Sequence, residues 1–534
     1  MSPLDPAMSG LDPQRRRSLI AALMAVFVGA LDLTVIATIL PRMVSDLEIN
    51  TADIDRYVWI VNGYLLAYIV AIPVVGRVSD LVGRRAAFLG ALSAFAIGSL
   101  VCALGHSLGP LIAGRAIQGA GGGALLPITM ALVGDLVPRE RRAGALGLVG
   151  AIETLGWVLG PLWGALIIGL VPGQDPWRWV FWVNIPLALL AAAAVWRMPM
   201  IGPATPTELR ARNWFQQLDP VGVLLLAASL VMLNLGLSAG GEVGGGSGSG
   251  SRALGGTENP LAEWSGWLLA GSALSGAAFA FWERRSAHPH LPTTHIRRPW
   301  FSPALATNFV TGAALIVAMV DIPVVVTLLV QPDQVSSVTA LMMAPFTVLM
   351  AALSLGGGML VARRGGRWVA MVGLLLAAIG YALLWFGIGK GSIFGMLPGL
   401  AVAGAGFGMV VAPISAAAID AVAPEDRGIA AALTLVARLL GMTVSISALT
   451  ALGVHRLQSL VSTLEPIVQV AGESTAQFFT RQTEFLYERV IPLTVQVVRE
   501  TFLIAGIIAL LAILPARLLS REPASTDREP DGRQ

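Results

Sequence analysis

The chain has 534 residues, of which 55% are hydrophobic and only 13% charged, against roughly 25% charged in a soluble domain, and its mean hydropathy is +0.74; it reads as an all-α polytopic membrane protein. The net charge of +3 is small and no basic surface is concentrated enough to suggest nucleic acid, while a single cysteine, Cys102, excludes an intrachain disulfide and a thiolate metal site. No nucleophile elbow, clustered metal-ligand set or phosphate-cradling loop is present, which argues against a membrane enzyme, and no cofactor or metal is expected.

Apolar runs of about 20 residues, the length that crosses about 30 Å of hydrocarbon, recur fourteen times, near 18–41, 57–75, 86–105, 109–134, 143–170, 179–197, 219–240, 266–283, 301–330, 336–361, 367–388, 392–419, 427–453 and 498–516. The first run is too long for a signal-peptide core and contains Asp32, so it is expected to stay as helix one. With the N-terminus inside, inner segments hold 24 of the 35 basic residues, outer segments 9, and the remaining 2, Arg115 and Arg438, lie inside helices. That bias predicts cytoplasmic termini and an even helix count.

The sequence also repeats. Leu126-Pro127-Ile128 through Arg141 is echoed by Ala412-Pro413-Ile414 through Arg427 at an offset of 286, and Val82-Gly83-Arg84-Arg85 is echoed near Gly365-Gly366-Arg367. Parallel repeats of this kind predict two six-helix bundles related by an axis along the membrane normal. The expected organisation is a cytoplasmic tail 1–17, a bundle 18–198, a cytoplasmic linker 199–218 and an inserted helix pair 219–284 with a Gly/Ser-rich outer loop 240–265. A cytoplasmic loop 285–300, a second bundle 301–517 and a tail 518–534 complete it, giving fourteen helices as 6+2+6.

The last outer segment, 454–497, is too polar to span, yet Leu457, Leu460, Val461, Leu464 and Val468 recur at helical spacing. Gly472 can end one helix, and Ser474 with Gln477 forms a capping box that starts the next. Helix thirteen would then run from about 427 to 471, roughly 65 Å at 1.5 Å per residue. This predicts a helical hairpin standing outside the membrane and kinked at Pro466 and Pro492, against the alternative of an amphipathic segment lying on the outer leaflet. Trp177, Trp179 and Trp182 read as an interfacial aromatic belt. His288, His290 and His295 lack a spacing that enforces one metal geometry.

Charges within the apolar runs are the candidate working parts, because a carboxylate at bilayer depth costs a few kcal/mol or more and persists where it is paired or used. Glu153 and Arg438 both fall roughly 15 Å above the cytoplasmic face, at nearly equivalent positions of the two halves. They can pair across the bundles, either as a breakable proton-coupling lock or as a permanent strut. Asp32 and Arg115 reach a similar depth in helices one and four, with Asp32 the expected protonation site and Arg115 its modulator. Asp321 sits at a loosely similar place in the second half. Gly156, Gly160 and Gly164 make a smooth strip beside Pro161, suited to close helix approach.

Several of these stretches resemble the major facilitator superfamily. Gly76-Arg-Val-Ser-Asp80-Leu-Val-Gly83-Arg84-Arg85 is similar to that family's signature loop, although Leu81 stands where a basic residue is usual and the second-half copy has Arg363 where the acid would be. Tyr57-Val-Trp59 with Pro73, and Ala30-Leu-Asp32-Leu-Thr34, resemble the fourteen-helix drug:proton antiporter branch. Arg115-Ala-Ile-Gln118-Gly119-Ala-Gly121 is similar to the proton-coupling motif, and Gly156 through Gly160-Pro161 to Gly164 to the exporter motif. By resemblance, Asp80, Arg84 and Asp135 form a cytoplasmic latch.

The resemblance implies alternating access driven by the proton gradient, in the plasma (inner) membrane of a bacterium, by a monomer. The long outer hairpin with Asp32, Glu153 and Arg438 is similar to members that export triacylglycerides and work with an outer lipoprotein. Multidrug:proton antiport stays open beside lipid export, and a channel is a remote alternative. The mostly Leu, Val, Ala and Gly helices suit a hydrophobic or amphiphilic substrate.

Overall fold

In the computed structural model, residues 12–47, 54–172, 175–197, 219–243, 262–286, 300–331, 334–388, 393–464 and 474–519 are described. Helices account for nearly all of them. The first six are α1 (Pro13–Asp46), α2 (Ile54–Val82), α3 (Arg84–Leu104), α4 (Leu108–Leu136), α5 (Arg139–Leu170) and α6 (Arg178–Trp196). The inserted pair is α7 (Pro220–Val243) and α8 (Ser265–Glu283). The second half holds α9 (Phe301–Leu329), α10 (Val335–Arg364), α11 (Gly366–Gly387), α12 (Leu397–Asp420) and α13 (Arg427–Val461), then α14 (Thr475–Phe485) and α15 (Ile491–Leu511).

Among the described residues, thirteen helices are long and apolar enough to cross a membrane, α14 and α15 counting as one. The expected fourteenth, α8, is 19 residues long like α6, but three serines and three glycines dilute its apolar character. It pairs with α7 through Ser229 and Ser272, each hydroxyl donating to the other's carbonyl oxygen (3.0 and 2.9 Å). Trp282 also donates its indole N–H to Asp219 at the start of α7 (2.8 Å). The pair leans on the rest through α7, whose Leu237 carbonyl accepts from Ser447 of α13 (3.1 Å).

The two halves share local grammar as well as helix order. Gly83 (φ 88°) breaks α2 from α3 and Gly365 (φ 80°) breaks α10 from α11, left-handed positions that glycine adopts without a Cβ penalty. Pro127 and Pro413 lie inside α4 and α12, where buried neighbours stabilise a helix that has lost one backbone hydrogen bond. Glycines then set the packing distance between helices. A Cβ at Gly98 would come 2.4 Å from the Gln118 nitrogen, and one at Gly404 2.0 Å from the Phe346 carbonyl oxygen, so α3 on α4 and α10 on α12 meet backbone to backbone.

Three sequence expectations change. The expected tail 1–17 is partly helical, since α1 begins at Pro13 and carries Arg15, Arg16 and Arg17 on its exposed first turns. Trp177 is fully buried, its ring edge-on to Phe181 (6.2 Å), while Trp179 and Trp182 are exposed, so only those two suit a belt. The described part of α13 ends at Val461, ten residues short of the expected 471, yet its 35 residues still span about 52 Å.

The capping box at Ser474 and Gln477 is present and opens α14. A π-helical turn at Leu486–Val490 joins α14 to α15 immediately before Pro492, whose missing N–H and ring clash forbid a regular turn there. Arg456 of α13 and Glu500 of α15 make two bonds (3.1 and 3.3 Å) that hold the arms together. Pro466, Gly472, Val468, most of the 240–265 loop, the 199–218 linker and the three histidines lie outside the described residues.

Candidate functional site

Three polar centres interrupt the apolar interior. The first lies at the arginine-rich ends of the bundles. Asp80, at the end of α2, accepts the backbone N–H of Gly428 and of Ile429 (both 2.9 Å), a carboxylate seated on the positive N-terminus of α13 in the other bundle. Arg84 fixes that carboxylate: it donates to Asp80, to the Ser79 hydroxyl (2.7 Å) and to Asp135 (2.9 Å). The seat requires Gly76 and Gly428, because a Cβ on Gly428 would lie 2.3 Å from the Gly76 carbonyl and 2.6 Å from Asp80 Oδ1. Arg85 stays outside this cluster, its guanidinium 4.9 Å over the Trp196 ring.

Two further ion pairs flank the latch and are reciprocal. Asp135 accepts from Arg427 (3.0 Å), and Arg142 pairs with Asp420. Asp420 lies 285 residues after Asp135, and Arg427 lies 285 after Arg142. Each bundle therefore lends one acid and one arginine to the other, as a two-fold axis between them demands. A repeat offset of 285 instead of 286 is the sequence signal that identifies Asp420, Arg142 and Arg427. With Gly365 aligned on Gly83, Ala362 stands opposite Asp80 and Arg363 follows it, so among the described residues the carboxylate-on-helix contact has no second copy.

The second centre lies inside the first bundle. Asp32 of α1 is fully buried and accepts three bonds: from Arg115 (2.8 Å), from the Gln118 amide (2.9 Å) and from the Asn184 amide (2.6 Å). Gln118 also accepts from Arg115 (2.7 Å) and donates to Ser99 (2.9 Å), and the Arg115 guanidinium stacks 4.0 Å over the Tyr64 ring. The Tyr64 hydroxyl, Arg115 Nε and Asn184 Oδ1 are buried without a partner among the described residues. The cage thus holds spare donors and acceptors around one acid, which suits a group that gains and loses a proton. Asn184 and Ser99 are not flagged by the sequence, since neither is charged nor part of a spaced motif.

The third centre bridges the bundles. Arg438 of α13 donates to Glu153 of α5 (2.7 Å), with both side chains about 8% exposed, and the Trp157 ring lies 5.8 Å from the guanidinium. The pair sits 285 residues apart, on the pseudosymmetric position itself. The glycine strip of the same helix faces α1: a Cβ at Gly160 would lie 2.0 Å from the Thr34 hydroxyl, one at Gly156 2.6 Å from Ala30 Cβ, and Gly164 faces Val35 at 3.1 Å. Thus Gly156, Gly160 and Gly164, with Pro161 inside the helix, press the helix of Glu153 against the helix of Asp32. Asp321 joins neither network. It accepts from Thr501 and borders an apolar cavity of about 190 Å³ among α9, α13 and α15.

The cross-bundle ion pairs Arg77–Asp426, Arg139–Asp420, Arg142–Asp420 and Arg427–Asp135 gather at the arginine-rich end, with Glu153–Arg438 deeper in. The backbone contacts follow suit: Gly147 of α5 abuts Ser354 of α10, whose hydroxyl donates to the Gly147 carbonyl (2.9 Å). This end is closed. The sequence model of the Major Facilitator Superfamily matches residues 22–446 and, overlapping them, 304–534.

The chain belongs to the Major Facilitator Superfamily.

Within that superfamily, a triacylglyceride transporter of Mycolicibacterium hassiacum is 37% identical over 443 residues, covering 81% of this chain and 78% of that protein. A triacylglyceride transporter of Mycobacterium tuberculosis is 36% identical over 469 residues (85% and 86% covered). A probable triacylglyceride transporter of Mycobacterium leprae is 35% identical over 542 residues (97% and 99%). Among solved structures, the proton:xylose symporter XylE superposes with a TM-score of 0.58 at 15% identity, covering 94% of each chain. The human organic anion transporter MFSD10 gives 0.57 at 16% identity, covering 95% of this chain and 100% of that one. These two likenesses concern the fold. As a superfamily member this protein is a multi-pass membrane transporter and not an enzyme.

The closed end gives a direct prediction. Gly428→Val places methyls where the Gly76 carbonyl and Asp80 already lie, an overpacking of this latched arrangement that costs about 1–3 kcal/mol. In a background lacking Cys102, a cysteine at the buried Ser354 is expected to be protected from maleimide in the parent and modified in Gly428→Val. Equal protection in both would mean that the latch does not govern closure.

Proposed function

We propose that this protein is a proton-coupled exporter of neutral, triacylglyceride-like lipid that works by alternating access in the plasma (inner) membrane of a bacterium. The observation that carries the substrate is the relatedness itself: proteins 35–37% identical over most of the chain are named triacylglyceride transporters. The geometry supplies a mechanism compatible with it. With the bundles latched at the arginine-rich, cytoplasmic end, the far end has no cross-bundle ion pair among the described residues, as an outward-facing state requires. A proton taken up at Asp32 weakens its hold on Arg115, and the glycine strip passes the resulting shift of α1 to α5 and so to Glu153. Releasing Glu153 from Arg438 then frees the bundles to rock.

The outer arms formed by α13 and α14–α15 extend the exit side beyond the hydrocarbon, where they would shield acyl chains or meet an outer lipoprotein. The transporter would act as a monomer, with both termini cytoplasmic. A second reading, multidrug:proton antiport, is favoured by Asp321, a carboxylate in a mostly apolar cavity, a setting that suits a hydrophobic cation. On that reading Asp321 takes part in coupling as well.

Proteoliposomes carrying a fluorescent triacylglyceride and an imposed pH gradient test the proposal. Lipid flux is expected to rise with the gradient and collapse on adding a protonophore. Flux indifferent to the gradient would refute coupling, and flux of lipophilic cations alone would favour the second reading. Deleting 457–490 and closing the arms with a short Gly/Ser linker, which the Arg456–Glu500 pair makes geometrically feasible, is expected to abolish lipid export while the bundles still fold. Undiminished export would remove the arms from the mechanism.

A further inference from the structure

A cavity of about 420 Å³ opens between the arginine-rich ends of α5 and α10, separate from all three polar centres. Arg141 and Glu140 border it from α5 and Arg363 from α10, so its walls belong to different bundles. The glycines there divide into two kinds. A Cβ at Gly147 would lie 2.3 Å from the Ser354 carbonyl and one at Gly358 2.4 Å from the Ala143 carbonyl, so close backbone approach requires both. Gly144 is buried, yet a Cβ there would meet nothing within 4 Å, and one at Gly356 would meet only Leu353, at 3.9 Å. Glycine inside a helix weakens it, and no neighbour among the described residues needs these two to be glycine. What they do is keep the space beside the arginines empty.

Basic pockets between transmembrane helices at the membrane surface take anionic phospholipid headgroups, and arginine meets phosphate oxygens with paired N–H donors. We propose that this cavity binds the phosphodiester headgroup of an anionic, hydroxyl-bearing phospholipid between Arg141 and Arg363, and that the bound lipid holds the two bundles closed at this end. The acyl chains lie along the membrane-facing sides of α5 and α10. Glu140 repels a bare phosphate but accepts from a headgroup hydroxyl, which selects a glycerol or inositol headgroup over phosphatidic acid. Because the walls separate when this end opens, the lipid binds the closed state better and shifts the population toward it. That bias rests on the alternating-access reading; the binding does not.

The test uses the full-length protein in phosphatidylcholine nanodiscs titrated with phosphatidylglycerol, phosphatidic acid or inorganic phosphate. Phosphatidylglycerol is expected to raise the melting temperature, with phosphatidic acid weaker and inorganic phosphate without effect. Arg141→Gln/Arg363→Gln, both exposed positions, should raise the half-saturating lipid content on the order of tenfold. Gly144→Leu, which fills the cavity and leaves its charges in place, should remove the response while melting like the parent in phosphatidylcholine. An unchanged response in the arginine variant overturns the site. Full stabilisation by inorganic phosphate would make it a free-anion site instead, and equal response to phosphatidic acid would overturn the role of Glu140. If binding holds but spin labels across α5 and α10 show no shift toward closure, the state bias fails by itself.

Discussion

Asp32→Asn is expected to abolish gradient-driven transport while leaving lipid exchange at equilibrium measurable. The asparagine keeps an acceptor for Arg115 or Gln118 but cannot carry a proton through the cycle. Its cost to the fold is the loss of the carboxylate paired with Arg115, a guanidinium 1% exposed in the middle of the first bundle. Removing one partner of a buried pair typically costs about 3–5 kcal/mol. Gln118, Asn184 and the Tyr64 ring remain to offset part of it. The measurement is therefore a pair: flux driven by a pH gradient, and exchange with lipid at equal concentration on both sides. A purely structural Asp32 predicts that both fall together with the melting temperature. Loss of the first with retention of the second separates coupling from folding. If Asp32→Asn transports like the parent across the pH range, Asp32 is not the proton site.

Arg438→Ala is expected to have the second large effect, and its partner variant shows why. Alone it strands Glu153 at about 8% exposure between the bundles, again at about 3–5 kcal/mol, and the cost is borne by the closed state in which the two meet. The neutral double variant Glu153→Gln/Arg438→Gln removes both charges and should recover most of that stability, since replacing a buried pair by neutral groups is often near neutral. Transport is where the two roles diverge. A strut that only holds the bundles together would be replaced by the neutral pair, and flux would return with the melting temperature. A breakable lock would not be replaced, because the neutral pair leaves no charge contact between the bundles for the shift passed on from Asp32 to break. The coupling energy from the full cycle of single and double variants apportions the interaction. Recovery of gradient-driven flux in the double variant would assign the pair to architecture.

The glycine strip on α5 illustrates how far sequence pattern carries. Spacing of four predicts that Gly156, Gly160 and Gly164 share one face open to close approach, and that face is indeed packed to backbone distance. Which helix fills it is not written in the spacing. It is α1, so the strip braces the helix of Asp32 instead of the opposite bundle, and the two charge centres are mechanically joined through it. Trp177 shows the opposite case. Three tryptophans within six residues look alike in sequence, yet one is walled in by Phe181 while its neighbours face outward, a difference set by helix rotation.

Apolar run lengths locate the long helices and their order, because hydrocarbon thickness fixes how long such a run must be, although α8 falls short of a fourteenth crossing among the described residues. The sequence also carries the two-fold repeat. It also determined that Asp32, Arg115, Glu153 and Arg438 must be satisfied internally, since lipid offers them no partner. Who satisfies whom follows from how the helices pack. Asn184 reaches Asp32 across 152 residues and Ser99 reaches Gln118 across 19, while Asp420 and Arg427 cross to the other bundle to meet Arg142 and Asp135. The physical reason is that ion-pair and hydrogen-bond energies depend on the last few ångströms between atoms. Those ångströms are set by which glycines let helices approach, and at which end the bundles are closed.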